Sequence, residues 1–238
     1  MFYGYGSYLL FMLPALLLSL WASWRTRSAF KKYSRVRTLR GLTGAQAARA
    51  MLDGAGVRDV SIVAAQGTLT DHYNPLDRTL NLSEEVYGSP SIAAVGVACH
   101  EAGHALQHAA GYRPLWLRSA LVPTADIGSK VGYFTMMGGL VLLYMTRGAT
   151  GSGIVLFGAL LFSFVLLFQI VTLPVEFDAT ARAKRQAVEQ GIVVMQEREG
   201  MDRVLDAAAW TYVAAAISTL STLLYYLMRA GLLGGRRS

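Results

Sequence analysis

From Val131 to Val175 the only charged residue is Arg147. A run so poor in charge has few solutions other than helices that cross a bilayer, since about 20 apolar residues span about 30 Å of hydrocarbon. Arg147 opens the Gly-rich stretch "RGATGSG", so the run reads as a helical hairpin with legs from Ala125 to Thr146 and from Gly151 to Val175. The first leg reaches full length only if Lys130 snorkels to the interface.

Two further charge-free runs flank this hairpin. Met1 to Trp24 precedes the first charge, Arg25, and Ala207 to Met228 lies between Asp206 and Arg229. The N-terminal run has no basic residues before it and ends on Trp21 and Trp24, not on small residues. It is therefore expected to be an uncleaved anchor and not a signal peptide. Arg25, Arg27, Lys31, Lys32, Arg35, Arg37 and Arg40 follow directly, and such a cluster favours the cytoplasmic side. The expected plan is a mainly α membrane protein. It has about four transmembrane helices and a cytoplasmic α+β part with a short β-sheet, and both termini lie outside. Arg229, Arg236 and Arg237 work against an outside C-terminus, which leaves open a last helix lying along the interface.

The segments are then transmembrane helix 1 (1–24), a cytoplasmic part (25–121), a hairpin (122–175), a cytoplasmic helix (176–206), transmembrane helix 4 (207–229) and a tail (230–238). The composition agrees: 53% of residues are hydrophobic and 16% charged. The net charge of +7 belongs to the cluster beside the first span and reads as a topology signal, not as a nucleic-acid footprint. Cys99 is the single cysteine, so no internal disulfide forms, and it reads as a small buried hydrophobe.

Within the cytoplasmic part, "GLTGAQAARAMLDGAG" predicts a helix with Thr43 as N-cap, Ala47, Ala50 and Met51 on one face, and a stop at Gly54 or Gly56. "VSIVAAQG" and "TLNLSEEVY" read as two short strands joined by the turn-rich "TDHYNPLDR". "SPSIAAVGVACHEAGHALQHAAGY" opens with Ser and Pro and predicts a helix over about 91–110.

That helix carries His100, Glu101 and His104. Residues four apart project within roughly 40° of each other, one turn apart, so both imidazoles reach one metal ion while Glu101 points beside it. This is the H-E-x-x-H arrangement, in which zinc acidifies water and the glutamate takes the proton. The alternative is a helix with two buried, hydrogen-bonded histidines. A third histidine in the extended metzincin pattern fails, because Gln107 and Ala110 stand at the required positions. His108 would splay too far along the same helix and reads as structural. Glu176, the first charge after the hairpin, is the candidate third ligand, because two crossings return the chain to the side of His104. Pro174 is expected to separate the membrane helix from a new one. A solvated carboxylate at a helix start is the other reading of Glu176.

"RGLTG", "DHYNP", "LSEEVY", "HEAGHALQH", "PVEFDATARA" and "LDAAAWTYVAAA", in this order, resemble the YugP-like neutral zinc metallopeptidases of bacterial membranes, over nearly the whole chain. That family is in turn distantly similar to the HtpX and CAAX-prenyl membrane proteases, gluzincins whose third ligand is a glutamate after a transmembrane hairpin. The resemblance implies a zincin-like metalloprotease fold for the cytoplasmic α+β part, one Zn2+ per chain on His100, His104 and Glu176, and Glu101 as general base. It also exposes a departure. Those relatives carry an aspartate four residues after the ligand glutamate, whereas Thr180 stands here and Asp178 falls on another face.

Peptide hydrolysis also needs a donor for the developing oxyanion, for which His72, Tyr73 and Arg182 are candidates. A His-Tyr pair packing its loop, and Arg182 pairing with Asp178 or Glu176, are the plainer alternatives. The strand "TLNLS" has an edge to offer an extended substrate. The expectation is a membrane-embedded zinc endopeptidase of the bacterial inner membrane. It acts on membrane or unfolded proteins, touches the lipid bilayer but no nucleic acid, and faces the cytoplasm with its active site. A site-2-type intramembrane protease is the alternative enzyme, weakened because only Ile92 to Cys99 precede His100 as an apolar run. A non-catalytic zinc-binding scaffold is the alternative outside enzymes, and Glu101 argues against it because a structural site has four protein ligands. A transporter would carry ionisable groups in its spans, and these spans have almost none.

Overall fold

Helices account for most of the computed structural model, which describes residues 2–67 and 70–233. In chain order they are α1 (Phe2–Tyr33), α2 (Gly44–Gly54), α3 (Glu84–Tyr87), α4 (Ile92–Ala109), α5 (Arg113–Ile127), α6 (Tyr133–Thr146), α7 (Ala149–Glu189) and α8 (Met195–Arg229). A π-helical turn, Gly128–Gly132, joins α5 to α6 without a break. Strands β1 (Ser61–Ala65), β2 (His72–Asn74) and β3 (Thr79–Ser83) lie between α2 and α3.

The chain divides into two compact units, one of Met1–Trp21, Leu117–Leu173 and Tyr212–Ser238, the other of Ala22–Trp116 and Pro174–Thr211. α1, α7 and α8 each contribute residues to both.

The first unit is made of helices whose outward faces are apolar: Leu16, Leu20, Phe157 and Leu160 are all exposed. Among the described residues three helices are long and apolar enough to cross a membrane, Tyr8–Tyr33, Ala149–Glu189 and Met195–Arg229. α6 has only 14 residues, too few for a span without the π-turn and α5 before it. α6 and α7 pack with backbones nearly touching. A Cβ on Gly158 would sit 2.6 Å from the Met136 nitrogen, the kind of approach that small residues permit where no hydrophobic force draws helices together. α1 and α8 meet through Ser19 and Ser218, whose hydroxyls are 3.1 Å apart, and through the edge-on rings of Tyr8 and Tyr225.

The second unit has its own core. α2 starts in a capping box: Thr43 Oγ1 accepts from the Gln46 N–H while the Gln46 side chain accepts from the Thr43 N–H. Its buried face, including Ala47, Ala48, Met51 and Leu52, packs with Leu80 and Leu82 of β3 and with Val95, Ala98, Ala102 and Ala105 of α4. Ser91 caps α4 through the Ala94 N–H. The sheet order is β1-β3-β2, with β1 parallel and β2 antiparallel to the central β3.

Several sequence expectations are corrected. The "TDHYNPLDR" stretch is not all turn, because His72–Asn74 forms β2 with Tyr73 opposite Leu80. A strand of three residues shows no alternation to read, and Pro75 directly after it masks the signal. Pro174 does not start a new helix. α7 runs through it, as membrane helices tolerate where neighbouring groups satisfy the freed backbone. The segment 176–206 is not one helix but the end of α7 and the start of α8, with Gly191 at φ +63 in the turn between. The expected transmembrane helix 4, 207–229, is likewise the later part of α8, which starts at Met195.

Candidate metal centre

α4 and the charged end of α7 meet in the second unit, and their polar side chains converge there. His100 Nε2 lies 3.2 Å from Glu176 Oε2, and His104 Nε2 lies 3.5 Å from the same oxygen. The two imidazoles stand edge to face at 84°, with centroids 4.9 Å apart. One ligand atom from each of His100, His104 and Glu176 fits within 4.8 Å of the others. No other such group of three His, Cys, Asp or Glu residues occurs among the described residues. Burial alone would raise the Glu176 pKa, but hydrogen bonds and charge from His100 and His104 outweigh it and hold this carboxyl well below the usual range.

α4 approaches α7 this closely because of Gly103. A Cβ there would lie 2.6 Å from the Ala179 carbonyl oxygen, so any side chain would push apart the helices that carry the two halves of the centre.

Residues 8–231 match the sequence profile of the family described as "Putative neutral zinc metallopeptidase". The chain belongs to this family. It is 45% identical to "Putative membrane protease YugP" of Bacillus subtilis (strain 168) over 216 residues, 91% of this chain and 93% of that relative. No solved structure matches the chain. In this family member, two imidazole nitrogens and one carboxylate oxygen form a donor set that fits zinc.

Glu101 sits on α4 beside the converging trio. Its Oε2 accepts the Tyr73 backbone N–H at 3.1 Å, so β2 holds one carboxylate oxygen. The Tyr73 hydroxyl is 2.8 Å from His108 Nδ1. Burial, with the charge of Asp77 adding to it, raises the Tyr73 pKa. His108 is thereby occupied away from the trio.

His72 faces outward. Its Nδ1 lies 2.7 Å from the Thr70 carbonyl and its Nε2 accepts from Asn81 Nδ2 at 3.3 Å. Arg182 donates to Asp178 Oδ2 at 2.6 Å and lies over the Tyr112 ring. Asp178 in turn titrates below its ordinary value. Its burial acts upward, and the hydrogen bonds from Arg182 and Gln107 act downward and prevail.

Each histidine also has a partner at Nδ1. Thr180 Oγ1 is 3.2 Å from His100 Nδ1, and Gln107 Oε1 is 3.0 Å from His104 Nδ1. Gln107 is fully buried. From sequence this residue served only to exclude a metzincin, yet a polar side chain three positions after His104 on the same helix was a legible signal. Asp178, expected on another face, reaches His104 through Gln107.

Proposed function

We propose that this chain is a zinc-dependent endopeptidase that hydrolyses peptide bonds of membrane or unfolded proteins. The observation that carries the reading is the convergence of His100, His104 and Glu176, with Glu101 one position along α4 from the first of them. His100, His104 and Glu176 would hold one zinc ion per chain. Three protein ligands suit a catalytic ion, where a structural one takes four. Bound zinc supplies Lewis acidity, bringing the pKa of water down to about 7 and polarising a carbonyl.

The protein's own part is to place the base and grip the substrate. Glu101, anchored at Oε2 by the Tyr73 N–H, takes a proton from the attacking water at Oε1 and delivers it to the leaving amine. The strand TLNLS, expected from the sequence to offer an edge, is the central β3, paired on both sides, so the role passes to an edge strand, β2, which presents backbone groups to an extended peptide. All three oxyanion candidates have partners of their own: the Tyr73 hydroxyl lies 2.8 Å from His108 Nδ1, and Tyr73 is nearest the base only through its backbone N–H on Glu101. Arg182 is engaged by Asp178, and His72 by Thr70 and Asn81.

The protein crosses the inner membrane four times, through α1, the continuous α5–α6 path, the apolar part of α7 and the later part of α8. The basic residues after the first span support a cytoplasmic catalytic unit. A site-2-type enzyme would need α4 inside the bilayer. α4 is not among the three helices suited to crossing, and its buried face packs on α2 and β3.

The test is metal content and casein cleavage by the detergent-purified protein beside Glu101→Gln. Wild type holding about one zinc and cleaving, with the variant holding zinc but inactive, is the result expected of a three-ligand site with a separate base. Zinc binding without cleavage by either protein favours the scaffold. Absence of bound metal from both overturns the ligand assignment.

A further inference from the structure

The side-chain amide of Gln107 is fully buried between α4 and α7 and makes three polar contacts. Nε2 donates to the Val175 carbonyl oxygen at 2.7 Å and to Asp178 Oδ2 at 2.8 Å. Oε1 faces His104 Nδ1 at 3.0 Å. Which way round an amide lies follows from what its partners can do. A peptide carbonyl only accepts. Asp178 Oδ2 also accepts from Arg182 Nε–H at 2.6 Å, and an arginine can only donate. Both groups facing Nε2 therefore require a donor, and a flipped amide would set oxygen against two acceptors in a buried site. The Gln107 oxygen must point at His104.

The consequence falls on the histidine. Opposite a carbonyl-type oxygen, His104 Nδ1 has to carry a hydrogen, so in the neutral ring the lone pair is on Nε2, the atom that faces Glu176. His100 has no equivalent constraint, because the Thr180 hydroxyl at its Nδ1 either donates or accepts.

We propose that Gln107 is a positioning residue that fixes His104 in its Nδ1–H tautomer with Nε2 turned to the metal, and that Val175, Asp178 and Arg182 are the frame that fixes Gln107. This rests on the reading of His100, His104 and Glu176 as a zinc site. It also gives Arg182 a role remote from the substrate: it holds the carboxylate that holds the amide. Outer partners of this kind are worth roughly 10- to 100-fold in metal affinity.

The experiment uses the full chain in detergent, loaded with zinc and labelled with 15N-histidine. Only four histidines are present, so single His→Ala variants assign every ring. The wild-type His104 ring is expected to carry a solvent-protected proton on Nδ1 and to coordinate zinc through Nε2. Zinc affinity is then measured by chelator competition for wild type, Gln107→Met and His104→Ala. Gln107→Met keeps the length of the side chain and removes its acceptor. It is expected to bind zinc about 10- to 100-fold more weakly and to lose the protected His104 proton. Wild-type affinity in Gln107→Met, with binding lost in His104→Ala, overturns the role of Gln107 and leaves the metal centre standing. Undiminished binding in His104→Ala overturns both. If Gln107→Met does not fold, the wild-type spectrum decides, because a His104 ring with no proton on Nδ1 is incompatible with the proposal.

Discussion

The backbone N–H of Tyr73 and the Oε2 of Glu101 are joined at 3.1 Å, which ties β2 to the carboxylate proposed as the base. Because the donor is backbone, changes to the Tyr73 ring leave this link intact, and the 2.8 Å contact between its hydroxyl and His108 can be tested by itself. Tyr73→Phe and His108→Phe are expected to destabilise non-additively, with a coupling of about 0.5–1.5 kcal/mol, as for one shared hydrogen bond. A double-mutant cycle on denaturation of the purified protein measures it. Strict additivity would show that the two side chains do not interact.

Gly103 and Gly96 lie on the same helix, yet only one should matter to the metal. A Cβ at 103 meets the Ala179 backbone oxygen at 2.6 Å, whereas one at 96 meets only a side-chain atom, Met201 Cγ, at 3.3 Å. Gly103→Ala is expected to cost about 1–3 kcal/mol in overpacking and, by moving α4 off Glu176, to weaken zinc binding. Gly96→Ala should hold zinc as wild type does. Chelator competition on the two variants is the measurement, and equal affinities would refute the close-approach argument.

Within the helical unit, Gly158 and Gly138 form a similar contrast. Gly158 is in backbone contact with α6, and a Cβ at Gly138 meets nothing within 4 Å. Gly158→Leu should lower the melting temperature in detergent by an amount matching about 1–3 kcal/mol, and Gly138→Leu should change it little. The reverse order would exclude the α6–α7 packing described above.

Orientation can be read with thiols, because the native Cys99 will not interfere. Its side chain is buried, which pushes the thiol pKa up to about 12, so it should resist alkylation until the protein unfolds. Arg58 and Ala149 are both exposed. An impermeant maleimide added to intact spheroplasts should label Ala149→Cys and spare Arg58→Cys, and permeabilisation should expose both. Labelling of Arg58→Cys in sealed spheroplasts would place the unit that carries His100 and His104 outside.

Features that depend on residues close along the chain were legible before any fold was known. The cap at Thr43, the start of α4 after Ser91 and the charge-free runs of the membrane helices are all of this kind. So is the proximity of His100 and His104, because a four-residue spacing on a helix sets their geometry before any packing occurs. Features that depend on how elements meet came from packing alone. β2 exists because β3 offers it an edge, since three residues have no periodicity of their own. α7 continues through Pro174, and the Val175 carbonyl just past it accepts from Gln107 of another helix. Glu176 stands 76 residues from His100 in the chain and 3.2 Å from it in space, a distance set by Gly103 letting two backbones touch. The amide of Gln107 joins His104 to Asp178 only once α4 and α7 are pressed together. Helical periodicity constrains neighbours one turn away, and nothing in it specifies which face of a second helix will arrive opposite.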